Sequence, residues 1–256
     1  MIEIASFRYF PFEIPIKKLC ALCGELFCPP MFRPPRQSAI QYPHMSKLIS
    51  IVGNLGAGKT TLARLLCAPG VLYPQGNFTP YWESPEARPF QRAFTAEPPR
   101  WALANQLDFF LFRCQQESLA RQRPEIAVFD GGLDQDYHVF TRHIFNRGYL
   151  SPDELSLCQR FYTLARGMLP PPNLIIYLTV DIPTLLARRA ARARPTVDAS
   201  FDSQQFVALQ RLLDDWLNDQ TASPVLHLAD QPDLQSNPQA LQALVAQVTS
   251  SLSGGS

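Results

Sequence analysis

The chain has 256 residues, 46% of them hydrophobic, and its 23 basic and 22 acidic residues leave a formal net charge of +1. This composition supports a folded core, whereas the near-neutral charge argues against a general basic field for nucleic acid or anionic membranes. No run of about 18 consecutive apolar residues occurs, so no transmembrane helix is predicted. Proline is in excess: it makes up 24 of the 256 residues, about twice its usual share of ~5%.

The first 44 residues differ in composition from the rest of the chain. They hold seven of the 24 prolines and three of the six cysteines, Cys20, Cys23 and Cys28, and they show no sustained periodicity. A structural zinc site needs a second pair of ligands, so these cysteines are interpreted as unpaired thiols. We predict that residues 1–44 are a disordered leader or an upstream extension, with Met45 as the natural start.

Downstream of residue 44, short apolar runs alternate with helical patterns. The strand-like runs are Leu48–Gly53, Ile126–Asp130, Leu174–Val180 and Val225–Leu228, with a short further run at Val71–Tyr73. The helical patterns are Lys59–Cys67, Arg100–Arg121, Gln135–Asn146, Pro152–Met168, Ile182–Ala193, Ser203–Asn218 and Pro238–Ser250. This alternation predicts an α/β fold in which helices cover a parallel sheet. We expect one domain over residues 45–250 and a flexible, Ser/Gly-rich tail at residues 251–256.

A glycine-rich motif follows the first predicted strand and opens the first predicted helix. It consists of Gly53, Asn54, Leu55, Gly56, Ala57, Gly58, Lys59, Thr60 and Thr61 and fits G-x-x-x-x-G-K-[ST]. Its backbone N–H groups would wrap a phosphate chain at a helix N-terminus. Lys59 would then reach the β- and γ-phosphates, and the Thr60 hydroxyl would bind Mg²⁺. The motif predicts nucleoside triphosphate binding, without deciding between a kinase, a GTPase and an ATPase.

Polar residues on the second predicted helix and at the end of the second predicted strand are further candidates. Gln106 interrupts an apolar helical segment, and its amide can pair with the edge of a nucleobase, although a Gln satisfied in the core or facing solvent remains an alternative. Arg113 lies two helical turns later, on the same face. Asp130 ends a buried strand at the carboxyl edge, where ligands bind in open α/β sheets, and an acid there can hold Mg²⁺.

Four arginines lie within seven residues near the end of the predicted helix at residues 182–193. They are Arg188, Arg189, Arg192 and Arg194, and Pro195 then stops the helix. In a phosphoryl-transfer enzyme, arginines at such a place neutralise charge on the transferring phosphate. A solvated helix face is the alternative interpretation.

From about Ser46 to Ala229 the sequence resembles the deoxynucleoside kinases. Phe94–Arg113 is similar to the family's helix that runs from F-Y-x-x-P-x-R-W-A to a glutamine and an arginine. Val128–Phe140 occupies the place of its D/E-R-S strand end, Arg189–Arg194 matches the R-x-x-R-x-R of its lid, and Glu83-Ser-Pro85 resembles its D-N-P.

This resemblance implies a three-layer P-loop kinase fold with about five parallel strands and an arginine-rich lid. It implies transfer of the ATP γ-phosphate to the 5′-hydroxyl of a deoxynucleoside, with Mg²⁺. Gln106, Arg113 and Asp136 would bind the base, in a combination that favours a purine or deoxycytidine. It also suggests a homodimer formed through the helices Arg100–Arg121 and Gln135–Asn146. Cys67, Cys114 and Cys158, interpreted as reduced thiols, fit a cytoplasmic enzyme.

Four family residues that handle the sugar and the transferred proton are replaced. Thr79 stands in place of the general-base glutamate, Thr95 in place of the tyrosine that holds the 3′-hydroxyl, Gly131 in place of the arginine of D/E-R-S, and Val197 near the lid glutamate. Glu83 is then the candidate general base. Two alternatives stay open: a nucleotide-binding subunit with impaired catalysis, and a kinase for another acceptor such as a nucleoside monophosphate.

Overall fold

Five parallel strands form one sheet in the order β2-β3-β1-β4-β5. The computed structural model describes residues 46–69, 77–82, 89–192, 202–229 and 234–253, all within a unit that spans His44–Ser256. The strands are β1 (Leu48–Gly53), β2 (Phe78–Tyr81), β3 (Ile126–Asp130), β4 (Leu174–Thr179) and β5 (Val225–Ala229). Because all of them run in one direction, their carboxyl ends meet at a single edge of the sheet. The predicted leader at residues 1–44 lies outside the described residues.

The central strands form where the sequence is continuously apolar. All six residues of β1 and all five of β3 are buried, as expected for strands covered on both faces. Both strands have the predicted bounds. The strand predicted at Val71–Tyr73 lies outside the described residues, and β2 at Phe78–Tyr81 was not predicted. It is a four-residue edge strand that contains Pro80, a residue that sheets accept at their edges.

The helices largely follow the predicted order. They are α1 (Lys59–Leu66), α2 (Pro89–Ala96), α3 (Pro98–Arg121), α4 (Leu133–Gln135), α5 (Arg142–Asn146), α6 (Pro152–Met168), α7 (Ile182–Arg192), α8 (Ser203–Asp219) and α9 (Pro238–Ser253). The short helix α2 was not predicted. The helix predicted over Pro238–Ser250 extends three residues further, because α9 ends at Ser253 and buries Leu252 in the core.

The helix predicted over Gln135–Asn146 is interrupted. A π-helical segment, Asp136–Thr141, joins α4 to α5. The Thr141 hydroxyl oxygen lies 2.9 Å from the carbonyl oxygen of Asp136 and 2.8 Å from Oε1 of Gln106, and the two acceptors share its single proton. A wide turn of this kind often lies at a functional site. The prediction of one regular helix here was wrong, because the apolar pattern does not reveal the widened turn.

Helices cover both faces of the sheet, which gives three layers. Ile49 and Ile51 of β1 lie in one cluster with side chains of α1 and α9. Val52 lies in a second cluster, which α8 and the π-helical segment complete, and Leu48 packs with Ala120 of α3 in a third. The alternation of side chains along β1 therefore supplies a core to each face. Among the described residues, no helix is both long enough and apolar enough to span a membrane.

Candidate active site

The phosphate loop connects β1 to α1. The Lys59 ammonium donates to the carbonyl oxygens of Gly53 and Asn54, each at 3.0 Å. A Cβ atom at Gly53 would lie 2.6 Å from the carbonyl oxygen of Leu178, so the start of the loop is packed tightly against β4. The loop therefore has the strand–loop–helix context that the motif predicts, and its lysine lies against its own main chain.

The two predicted metal ligands lie together beside this loop. Thr60, in the first turn of α1, donates its hydroxyl to Oδ2 of Asp130 at 2.5 Å. Asp130 is the last residue of β3 and is 9% exposed. Hydroxyl and carboxylate oxygens are hard donors of the kind that Mg²⁺ prefers. The residues present therefore fit a magnesium ion at this edge of the sheet.

One of the four predicted lid arginines lies over the loop. Arg188 of α7 donates from Nη1 to the carbonyl oxygens of Ala57 at 3.2 Å and Gly56 at 3.5 Å. The following helix α8 is held to the same loop, since Nδ2 of Asn54 donates to the carbonyl oxygen of Phe206 at 2.9 Å. The side chain of Arg192 and all of Arg194 lie outside the described part of the chain.

Arg113 links the predicted base site to the predicted metal site. Its side chain is fully buried, and its Nε donates to Oδ2 of Asp136 at 3.0 Å. Its Nη2 donates to the carbonyl oxygen of Asp130, also at 3.0 Å. A Cβ atom at Gly131 would lie 2.9 Å from that Nη2, and Gly131 has a φ of +81°. Arg113 therefore fills the space at residue 131, where the family pattern has an arginine.

Gln106 lies on the same helix as Arg113 and is also buried. Its Oε1 accepts a hydrogen bond from the Thr141 hydroxyl at 2.8 Å. The single proton of this hydroxyl has a second acceptor within reach, the carbonyl oxygen of Asp136 at 2.9 Å. Gln106 is therefore satisfied within the fold on one side, and its base-binding role stays a prediction.

The strand register locates Thr79, the residue that stands in place of the family's general-base glutamate. Thr79 pairs with Ala127, three residues before Asp130, so it lies along β2 and does not reach the carboxyl end of the sheet. The chain reaches the edge at Trp82, whose carbonyl oxygen accepts from Nε2 of Gln116 at 2.8 Å. Glu83 comes next in the sequence and lies outside the described residues.

The other sugar-site departures give no replacement in the described residues. Thr95 donates its hydroxyl to the carbonyl oxygen of Gln91 in its own helix, at 2.9 Å. Val197 lies outside the described residues. Of the positions where this sequence leaves the family pattern, only Gly131 is explained by a contact that the structure describes.

A buried charge network behind the site was not predicted from the sequence. The Arg166 guanidinium bonds to both oxygens of Asp134 and to both oxygens of Glu117, at 2.7 to 2.9 Å. Burial lowers the pKa of Arg166, but the two carboxylates more than offset this effect and raise it overall. The partners lie 32 and 49 residues away in the sequence, so no local pattern pointed to them.

An aromatic group extends this network. Tyr162 donates its hydroxyl to Oδ1 of Asp134 at 2.8 Å, and Nε2 of His138 lies 3.1 Å from the Tyr162 oxygen. Because Tyr162 donates its only hydroxyl proton to Asp134, His138 must be the donor in the bond between His138 and Tyr162. The His138 ring stacks on Trp216, and burial lowers its pKa to about 4. A neutral histidine therefore fits this position.

The fold and the site define a class of protein. A phosphate loop with its lysine, a hydroxyl and a strand-end carboxylate together, and an arginine over the loop are the parts of a P-loop phosphotransferase. The family model for deoxynucleoside kinases matches residues 49–253. The chain belongs to the deoxynucleoside kinase family, and it is an enzyme that phosphorylates a nucleoside.

Individual relatives agree with this family. The chain is 34% identical over 153 residues to the deoxyguanosine kinase of Bacillus subtilis (strain 168). The aligned segment covers 57% of this chain and 67% of the relative. It is 24% identical over 217 residues to the deoxyguanosine kinase of Lactobacillus acidophilus (strain ATCC 700396 / NCK56 / N2 / NCFM), which covers 80% of this chain and 90% of the relative.

Solved structures show the same fold. The deoxyadenosine kinase from M. mycoides with bound dCTP matches with a TM-score of 0.63 and 16% identity, over 79% of this chain and 99% of that one. The same kinase with the products dCMP and dCDP matches with a TM-score of 0.66 and 18% identity, over the same shares.

Proposed function

We propose that this kinase transfers the γ-phosphate of ATP, with Mg²⁺, to the 5′-hydroxyl of a purine deoxynucleoside or deoxycytidine, as a cytoplasmic enzyme of nucleotide salvage. The observation that carries the proposal is Arg113. Its guanidinium bonds to Asp136, on the predicted base side, and to the main chain of Asp130, on the predicted metal side. One buried side chain therefore connects the predicted base site with the predicted metal site, and a nucleoside kinase needs both.

On the donor side, Gly53–Gly58 would hold the phosphate chain, with Lys59 moving from the loop carbonyls to the β- and γ-phosphates. Thr60 and Asp130 would hold Mg²⁺, which neutralises charge on the donor phosphates when it is bound. Arg188 lies over the loop, and Arg192 and Arg194 follow it in the sequence. Cations at this position would stabilise the charge of the transferring group.

On the acceptor side, Gln106 and the Arg113–Asp136 pair would bind the base. An amide beside an acid–arginine pair suits a base that offers ring acceptors and an exocyclic amino group. The curated relatives are named deoxyguanosine kinases, and a structural relative holds a cytosine nucleotide. These names support a purine or deoxycytidine for this chain too.

Glu83 is the proposed general base. In the transfer, the 5′-hydroxyl oxygen forms a bond to the γ-phosphorus, the bond from that phosphorus to the β-phosphate oxygen breaks, and Glu83 takes the hydroxyl proton. The register supports Glu83 over Thr79, because the chain leaves β2 at Tyr81, level with Phe129 and one residue before Asp130. Positioning supplies most of the catalysis in this reaction, so loss of the base would slow it rather than abolish it.

The test is a panel of deoxynucleosides and nucleoside monophosphates incubated with labelled ATP and Mg²⁺. We expect label on purine deoxynucleosides or deoxycytidine, and none with Lys59→Ala. Saturable ATP binding with no product would instead identify a nucleotide-binding subunit. Label only on monophosphates would identify a kinase for a different acceptor.

We also propose a homodimer, formed through α3 and α6. The predicted helix Gln135–Asn146 is largely buried, so it does not offer a dimer face. Exposed apolar side chains instead lie on two helices that pack together: Leu111 and Leu119 on α3, and Leu157, Leu164 and Met168 on α6. Light scattering should give twice the monomer mass, and Leu164→Lys with Met168→Lys should give a monomer. A monomeric wild-type protein would refute the proposal.

A further inference from the structure

Three consecutive side chains at the start of the π-helical region each bind a different element. Asp134 bonds to Arg166 of α6, and Asp136 bonds to Arg113 of α3. Gln135, between them, bonds to the first residue of the phosphate loop. All three are buried, and Gln135 is 1% exposed. The segment is therefore held from both sides of Gln135 by charged pairs.

The Gln135 amide pairs with both main-chain polar groups of Gly53. Its Nε2 donates to the Gly53 carbonyl oxygen at 2.9 Å, and its Oε1 lies 3.4 Å from the Gly53 nitrogen, which donates to it. The same carbonyl oxygen accepts from the Lys59 ammonium at 3.0 Å. Gln135 therefore contacts the oxygen on which the loop lysine rests.

We infer that Gln135 is a positioning residue for the phosphate loop. It fixes the main chain of Gly53, and with it the start of the loop, in the conformation that receives the phosphates of ATP. The inference rests on the proposed function, in which this loop binds ATP. The side chain at 135 must offer a donor and an acceptor together, as an amide or a protonated carboxyl group does. Leucine offers neither, and an ionised glutamate places an anion against the Gly53 carbonyl oxygen.

The experiment measures binding of a non-hydrolysable ATP analogue with Mg²⁺, and binding of a deoxynucleoside, by calorimetry on the full chain. The variants are Gln135→Leu, Gln135→Glu and Lys59→Ala, with Gln159→Leu as a matched control on an exposed face of α6. We expect Gln135→Leu to bind the analogue about tenfold more weakly, the loss for an unsatisfied buried group. Nucleoside affinity should stay within about twofold, which a general loss of folding would not allow.

Gln135→Glu supplies a second measurement, which holds even where Gln135→Leu folds poorly. The affinity of this variant for the analogue, taken as a ratio to wild type at each pH, should rise as the pH falls from 8 to 5. Protonation restores the donor that the ionised carboxylate lacks. A ratio that does not change with pH overturns the inference.

The outcomes separate this inference from the proposed function. Normal affinity in Gln135→Leu, with binding lost in Lys59→Ala, refutes the role of Gln135 alone. Normal affinity in Lys59→Ala refutes ATP binding by the loop. An equal loss of analogue and nucleoside binding in Gln135→Leu assigns the residue a merely structural role, and it refutes the inference as well.

Discussion

Replacement of Arg166 by leucine tests how far the site depends on charges buried behind it. In the wild-type protein this guanidinium makes four charged hydrogen bonds, two to Asp134 and two to Glu117. The side chains of these acids are 10% and 2% exposed. Without Arg166 both carboxylates stay buried without their counter-charge, at a cost of about 3–5 kcal/mol in the free energy of unfolding. That is a large part of the ~5–15 kcal/mol that stabilises a typical domain.

The loss of stability in Arg166→Leu should become smaller as the pH falls. In Arg166→Leu the two carboxylates stay buried without their counter-charge, and protonation removes the cost of keeping them charged. The folded variant then binds protons that the unfolded chain does not, so its stability relative to wild type rises as the pH falls. The gap between the two proteins should therefore narrow between pH 7 and pH 5.

Urea denaturation at both pH values measures this effect. Arg211→Leu is the control, because Arg211 is exposed on α8, away from the proposed dimer face. The control should lie within about 0.5 kcal/mol of wild type. Equal stability of Arg166→Leu and Arg211→Leu at pH 7, or a gap that widens in acid, would contradict this prediction.

The first glycine of the phosphate loop and the buried histidines give two further predictions. Gly53→Ala should abolish tight ATP binding and lower the stability measured in denaturation curves by several kcal/mol, because its Cβ would lie 2.6 Å from the Leu178 carbonyl oxygen. Gly148→Ala is the control, since a Cβ there would have nothing within 4 Å, and it should cost only about 1 kcal/mol. Equal losses would contradict this. Burial lowers the pKa of His138 and His143 from 6.5 to about 4, so stability should fall as the pH drops from 6.5 to 4. His138→Phe should remove up to about 3 kcal/mol of that fall, and an unchanged pH profile would refute it.

The strands and the phosphate loop are predictable because their signals are local. β1 and β3 are unbroken apolar runs, and their bounds match the predicted residues. Strand β2 was missed because it has four residues, one of them Pro80, and pairs on one side only. The helix α6 was predicted over its full length, Pro152–Met168, where a proline in the first turn follows a capping box at Ser151.

The site was only partly predictable, because some of its contacts join residues that lie far apart in the sequence. Thr60 with Asp130, and Arg113 with Asp136, were singled out by motif and resemblance, and the structure brings the members of each pair together. Gln135 carries no local signal, because its partner Gly53 lies 82 residues earlier in the chain. Such contacts arise only when the sheet and its helices are assembled.

Pro80 has a consequence for how copies of this protein meet at high concentration. The Asn77 carbonyl oxygen accepts from the Ile126 nitrogen, so by the alternation of a strand the nitrogen of Pro80 faces away from β3, along the outer edge of the sheet. An incoming strand would need a hydrogen-bond donor at that place, and proline has none. The edge therefore resists sheet-to-sheet aggregation.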